Sequence, residues 1–296
     1  MSTPIASGFI PPCLLRGASH EEYHADDFAE VPTLSASIAK IIANRSARHA
    51  YEKHPQLGGG ENETTEAMSL GTIVHSLLLG AGPEIVKVDA NDWRAKAAQE
   101  ERKAIREAGQ IPVLLKQYQE AEQIVKLARP QLAEQGIVLD GESEIVALWN
   151  EDSECGEVLC RGLLDHLRVS QGQIVDLKTS SDANPRQLGR KFVDFGYEVQ
   201  AAAYTSAIEH IFPDLAGRVT FTFVFIETEA PYIVQRARAS GTMRALGESK
   251  WRRAVEIWAR ALATGVWPAY SDAEVEIEAP SWALYQEDQI QEGSLL

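Results

Sequence analysis

The spacing of apolar positions changes character part-way along the chain. The segment MSLGTIVHSLLLG, residues 68–80, has helical length and a mostly apolar surface, and Gly80, Gly82 and Pro83 stand ready to end it. It predicts a buried helix. Ahead of it, TLSAS offers Ser35 or Ser37 as the cap of a helix carrying Ile38, Ile41 and Ile42. Residues 92–109 and 114–135 are rich in Ala, Glu, Lys, Gln and Arg, which predicts two partly exposed helices. After Pro130 the runs shorten and become β-branched and aliphatic: 144–150, 158–169 and 173–178 predict consecutive strands. A helix over 197–212, a strand pair at 219–227 and 232–237, and a long helix over 241–264 complete the series. The order predicts an α/β (α+β) fold, a sheet flanked by helices behind a helical N-terminal portion. Residues 1–20 hold three prolines and read as a flexible arm, 57–66 as a loop, and 271–296 as an acidic tail. Between them, residues 21–270 are expected to form a single domain, with a helical part at 34–135 and a core at 136–264.

Composition narrows the function classes. With 296 residues, 45% of them hydrophobic, the chain can bury a substantial core without disulfides. No apolar run approaches a membrane span, and the first residues lack the pattern of a signal peptide, so a cytoplasmic protein is the expectation. Lys and Arg number 28 against 43 Asp and Glu, a net charge of −15. That argues against a general basic coat for nucleic acid but leaves room for a local basic channel beside carboxylates that hold metal. Cys13, Cys155 and Cys160 form no CxxC pair and cannot ligate a structural zinc or an iron–sulfur cluster; buried reduced thiols are expected.

Candidate chemistry concentrates between Cys160 and Lys178. Taking Gln171 and Gly172 as a two-residue turn pairs Asp165 with Lys178 and sets Asp165 diagonally from Asp176, while Asp176 and Lys178 share a strand face. Two close carboxylates repel unless a cation lies between them, and hard oxygen donors suit Mg2+ or Mn2+. A neighbouring lysine then serves as a fixed charge that orients or deprotonates water. The same residues also fit an exposed hairpin with a cross-strand ion pair.

In combination, Gly71-Thr-Ile-Val-His75, Glu144, Gly162-Leu-Leu-Asp165, Asp176-Leu-Lys178-Thr and Gln200-Ala-Ala-Ala-Tyr204 resemble the ordered motifs of PD-(D/E)xK nucleases, those of RecE (exonuclease VIII) and its phage relatives above all. The N-terminal stretch YHADDFAEVPTLSASIAKIIANRSARHAY is similar to the same group, and the resemblance spans residues 22–210. It implies a restriction-endonuclease-like core and metal-dependent exonucleolytic hydrolysis of linear double-stranded DNA, 5′ to 3′, leaving single strands for recombination. Asp165, Asp176, the Leu177 carbonyl and His75 would hold Mg2+ (or Mn2+), Lys178 would be the catalytic lysine, and Glu144 would hold water or bind the metal's solvation shell. Asp176 stands where many members carry glutamate. Gln200 and Tyr204 would be active-site or DNA-contacting residues.

DNA ends, a ring-shaped homo-oligomer and a single-strand annealing protein are the partners implied. Arg94, Lys96, Arg102, Lys103, Arg106, Arg186, Arg190 and Lys191 are candidates for the DNA path. Ser35 and Ser37, at a helix N-terminus, are candidates for a terminal 5′-phosphate, by analogy with lambda-type exonucleases.

Each assignment has a plainer counterpart. His75 fits a core histidine, Glu144 a solvated strand start, Tyr204 a packing residue, Gln200 a water-facing one, Ser35 a simple cap, and the cations solvated helix faces. His166 is read as structural. An endonuclease of the same fold and a non-catalytic DNA-end-binding protein are the alternatives in function.

Overall fold

The computed structural model describes residues 11–59, 70–82, 84–271 and 273–291. In chain order the elements are β1 (Cys13–Leu15), α1 (His20–Ala25), β2 (Leu34–Ser35), α2 (Ala36–Asn44), α3 (Ala47–Lys53), α4 (Leu70–Leu79), β3 (Ile85–Val88), α5 (Lys96–Glu107), β4 (Ile111–Leu114) and α6 (Leu115–Glu134). They continue with β5 (Glu142–Ser153), β6 (Gly156–Arg168), β7 (Gln173–Ser180), α7 (Pro185–Phe195), α8 (Tyr197–Ile211), β8 (Thr220–Glu227), β9 (Val234–Ala237), α9 (Gly241–Thr264) and α10 (Ser281–Gln291).

Seven strands form one mixed sheet in the order β1-β5-β6-β7-β8-β9, with β2 beside β6. The pairs are antiparallel except β2–β6 and β7–β8. The parallel β7–β8 step requires a crossover, which α7 and α8 supply. Strands β3 and β4 form a separate parallel pair. The α/β expectation therefore holds, with helices on both sides of the sheet. On one face Leu164, Ile174, Val199, Ala203, Trp251, Val255 and Trp258 share a core with α2. On the other, Val175, Leu177, Val224 and Ile226 pack on Ile73 and Val74 of α4 and Ile124 and Ala128 of α6. The helical N-terminal portion thus shares its core with the sheet.

Three expectations need correction. Cys13–Leu15, inside the anticipated flexible arm, pairs with Val146–Leu148 as an edge strand; residues 1–10 of that arm lie outside the described residues. Cys155 is exposed rather than buried, because it sits in the tight β5–β6 turn; the three cysteines are free thiols. The β6–β7 pairing sets His166 opposite Val175 and Arg168 opposite Gln173, so the loop is 169–172, a 3-10 turn closed by Gly172 at φ 57°. Asp165 therefore lies level with Asp176 rather than Lys178. Most of the 57–66 loop falls outside the described residues. No described helix is long and apolar enough to cross a membrane.

Candidate active site

The site lies where β6 and β7 part. The edge of β6 that faces β7 is paired with β2 at Cys160 and Arg161 and with β7 from His166 to Arg168, leaving Gly162-Leu-Leu-Asp165 between them. The Asp165 carboxylate fills the fork, and its Oδ2 accepts the Leu177 N–H at 2.7 Å in place of a ladder bond. Strand alternation sends Val175 and Leu177 into the α4–α6 core and leaves Asp176 and Lys178 on the opposite face, towards α8. There Asp176 Oδ2 accepts from Gln200 Nε2 at 2.6 Å. Its Oδ1 is fully buried and meets the Lys178 ammonium as an ion pair.

Helix α4 closes the fork from the other side. Gly71, Thr72, His75 and Ser76 follow helical spacing on the face that lines the cleft, while Ile73, Val74 and Leu78 enter the core. His75 Nδ1 stands 3.7 Å from Asp165 Oδ2 and the ring reaches the Leu177 backbone. Glu144 enters from β5, at a position with φ 53° where the β5–β6 ladder skips a pair between Ser143–His166 and Ile145–Leu164. Its Oε2 is 2.8 Å from His20 Nε2 of α1. These groups line a cleft of about 410 Å³. A larger cavity of about 730 Å³, between α8, α9 and β8, contains none of them.

Burial dominates the electrostatics. It pushes Asp165 and Asp176 up to about 6 against the attraction of Lys178. It pushes His75 down to about 4, with Lys178 acting in the same direction, which keeps the imidazole neutral at neutral pH and its lone pair free for a metal. Lys178 is held above the ordinary lysine value by the two carboxylates, which outweigh its own desolvation.

Among the described residues no three or more His, Cys, Asp or Glu side chains are gathered into a ready metal cage. The donors nevertheless fit a hard divalent ion. Two desolvated carboxylates stand beside a neutral imidazole and the Leu177 carbonyl, and a cation would relieve the cost of charging them. As the residues stand, the Lys178 ammonium supplies that countercharge.

The family described as "PDDEXK-like domain of unknown function (DUF3799)" matches residues 35–278. The chain belongs to this family. Its PDDEXK-like span holds every residue that lines the cleft except His20 and His24. The fold is similar to that of a candidate exonuclease from Eubacterium rectale, with a TM-score of 0.57 at 14% identity over 92% of this chain and 98% of that one. A phage-related exonuclease from Haemophilus somnus superposes more loosely, with a TM-score of 0.35 at 13% identity over 79% of this chain and 96% of that one. No curated protein matches.

Other anticipated residues of the PDDEXK-like chain fall outside the cleft. The buried Tyr204 stacks behind β6, where Gly162 leaves it room: a Cβ there would meet Tyr204 Cε1 at 2.8 Å. Ser35 does not offer a phosphate site, since it is 3% exposed and its hydroxyl caps α2 by accepting Ile38 N–H. Ser37 is exposed on the first turn of α2. Arg94 and Lys96 pair with Asp92 and Glu100, and Arg102, Lys103 and Arg106 line a shallow depression on α5 away from the cleft. On α7, Arg190 pairs with Asp194 and Lys191 ties to Ser180 just beyond Lys178, while Arg186 is exposed. His166 is structural, bonded to Ser143 and Gly141.

Sequence reasoning missed several site residues, His20 and Lys40 among them. His20 lies in the stretch read as an arm, although Ser19 and Glu22 form a capping box that announces α1. Lys40 of α2 reads as the polar side of an amphipathic helix, yet its ammonium donates to Gln200 Oε1 at 3.3 Å, and burial together with Lys178 pushes it down to about 8. No pattern in the sequence marks that contact.

Proposed function

We propose that this PDDEXK-like protein is a metal-dependent exodeoxyribonuclease that degrades linear double-stranded DNA from its ends. The observation that carries this reading is the convergence of Asp165, Lys178 and His75 on one cleft, with the buried Asp176 carboxylate paired to Lys178 behind it. Asp165, Asp176, the Leu177 carbonyl and His75 would hold the ion. When bound, a divalent cation lowers the pKa of water and stabilises negative charge on a phosphoryl oxygen.

The chain's own groups do the rest. Lys178, held charged between two carboxylates, sets a positive charge against the phosphate and aligns the attacking water. Gln200 occupies one Asp176 oxygen and so limits how that carboxylate can turn. Glu144, fixed by His20, presents a carboxylate at the cleft mouth that can order water.

End dependence, 5′-to-3′ polarity, single strands destined for recombination, a ring-shaped oligomer and an annealing partner all rest on the resemblance of the motifs to RecE-type enzymes. The test is digestion of end-labelled linear duplex beside a covalently closed circle, with Mg2+ and with EDTA. The proposal expects nucleotide release from the linear substrate alone, only with metal, and none from Lys178→Ala. Nicking of the circle would replace it with an endonuclease; DNA binding without cleavage would replace it with an end-binding protein.

A further inference from the structure

We infer that Lys40 is a positioning residue that acts through Gln200 to fix the Asp176 carboxylate. This deepens the nuclease reading and gives a role to a residue to which the resemblance assigned none. Lys40 belongs to α2, whose register is set by the Ser35 cap and by the buried Ala36, Ile38 and Ala39. From there its stem runs across the α7–α8 junction. Gly196, at φ 63°, leaves the space, since a Cβ there would meet Lys40 Cγ at 2.8 Å. The ammonium ends 5.6 Å from the Tyr197 ring centroid, a ring that also has the Lys178 ammonium at 5.4 Å.

From that point the contacts form a line. Lys40 Nζ donates to Gln200 Oε1 at 3.3 Å, and Gln200 Nε2 donates to Asp176 Oδ2 at 2.6 Å. Asp176 Oδ1 is left facing Lys178. An amide has one accepting end and one donating end, an ammonium only donates, and a carboxylate only accepts. With Lys40 on one side and Asp176 on the other, only one orientation of the Gln200 amide satisfies both. Lys40 therefore forbids the flipped amide, which would turn Oε1 against the Asp176 carboxylate and release it to rotate. Because Gln200 and Asp176 are buried, losing a partner leaves a polar group unsatisfied at a cost. The lysine's hydrogen-bonded link to the reacting groups runs through the amide.

The experiment is a double-mutant cycle of Lys40→Met and Gln200→Leu, read in two ways. In cleavage of linear duplex, each single variant is expected to lower kcat about tenfold with KM within about twofold of wild type. The double variant is expected to be no slower than the slower single. In urea denaturation with EDTA, which needs neither metal nor activity, the pair should couple by about fivefold in the unfolding equilibrium constant. Additive effects in denaturation, or a raised KM with kcat intact, would overturn the inference and make Lys40 a separate DNA contact or a surface charge. If wild type cleaves no DNA under any metal, the nuclease reading fails by itself, and the denaturation cycle still decides whether Lys40 holds Gln200.

Discussion

Asp165→Asn should stabilise the metal-free protein while removing its response to metal. In the fold the Asp165 carboxyl is pushed up to about 6 from an ordinary 3.8, chiefly by burial. A carboxylate whose folded value exceeds its unfolded one opposes folding wherever it must be charged. The penalty is absent below about pH 4, grows as pH rises through that interval, and is complete above about pH 6. Its size, from the difference between 3.8 and about 6, is roughly 3 kcal/mol. The asparagine oxygen keeps the bond from Leu177 N–H, but the new amide N–H needs a partner, and the side chain is 16% exposed, so the net gain should be about 1–2 kcal/mol at pH 8. At about 2–4 °C per kcal/mol, the variant should melt roughly 2–8 °C above wild type in EDTA. Differential scanning calorimetry at pH 8, with EDTA and with Mg2+, checks both halves. Wild type should gain stability with Mg2+ and the variant should not. A variant less stable than wild type in EDTA, or equally stabilised by Mg2+, would refute the idea that Asp165 is a desolvated charge awaiting a cation.

Gly162→Ala should cost about 1–3 kcal/mol because its Cβ would overlap Tyr204, and Tyr204→Leu in the same chain should restore part of the loss in urea denaturation. Asp26→Ala should cost about 3–5 kcal/mol, since it strips the buried Arg161 of its ion pair and removes the acceptor of two Thr33 bonds; circular dichroism melts would show it. Ser35→Ala should lower stability by about 1 kcal/mol through loss of the α2 cap, while the rates on 5′-phosphorylated and 5′-hydroxyl ends keep the ratio of wild type. A changed ratio would return Ser35 to the phosphate site from which its burial removes it.

The parts of the fold legible in the sequence are those set by periodicity. The strands β5 to β9 and the helices α4, α6, α8 and α9 follow from apolar spacing because each presents one face or both to a core. The two-residue change in the β6–β7 register came from a turn that uses four residues where two were assumed. Being an even shift, it left every side chain on its expected face. The pairs Ile85–Val88 and Ile111–Leu114 were too short for their pattern to stand out, and the α7 boundaries, Asn184 with Pro185 and Gly196, were present but unread.

The candidate site was legible where it lies within one hairpin and its neighbouring helix motif. Lys40 and Gln200 are 160 residues apart, as His20 and Glu144 are 124 apart, and only the packing of α1 and α2 against the sheet brings them together. The candidate DNA contacts are a different case. Lys96 and Lys103 of α5 and Arg190 of α7 pair with acids four residues on, and charge counting along a sequence cannot separate such a pair from a binding path.

Anomalous diffraction from crystals grown with Mn2+ tests the central claim most directly. A peak bounded by Asp165, Asp176, the Leu177 carbonyl and His75, absent from crystals of Asp176→Ala, is the predicted result. A peak elsewhere, or none at these residues in wild-type crystals, would contradict it.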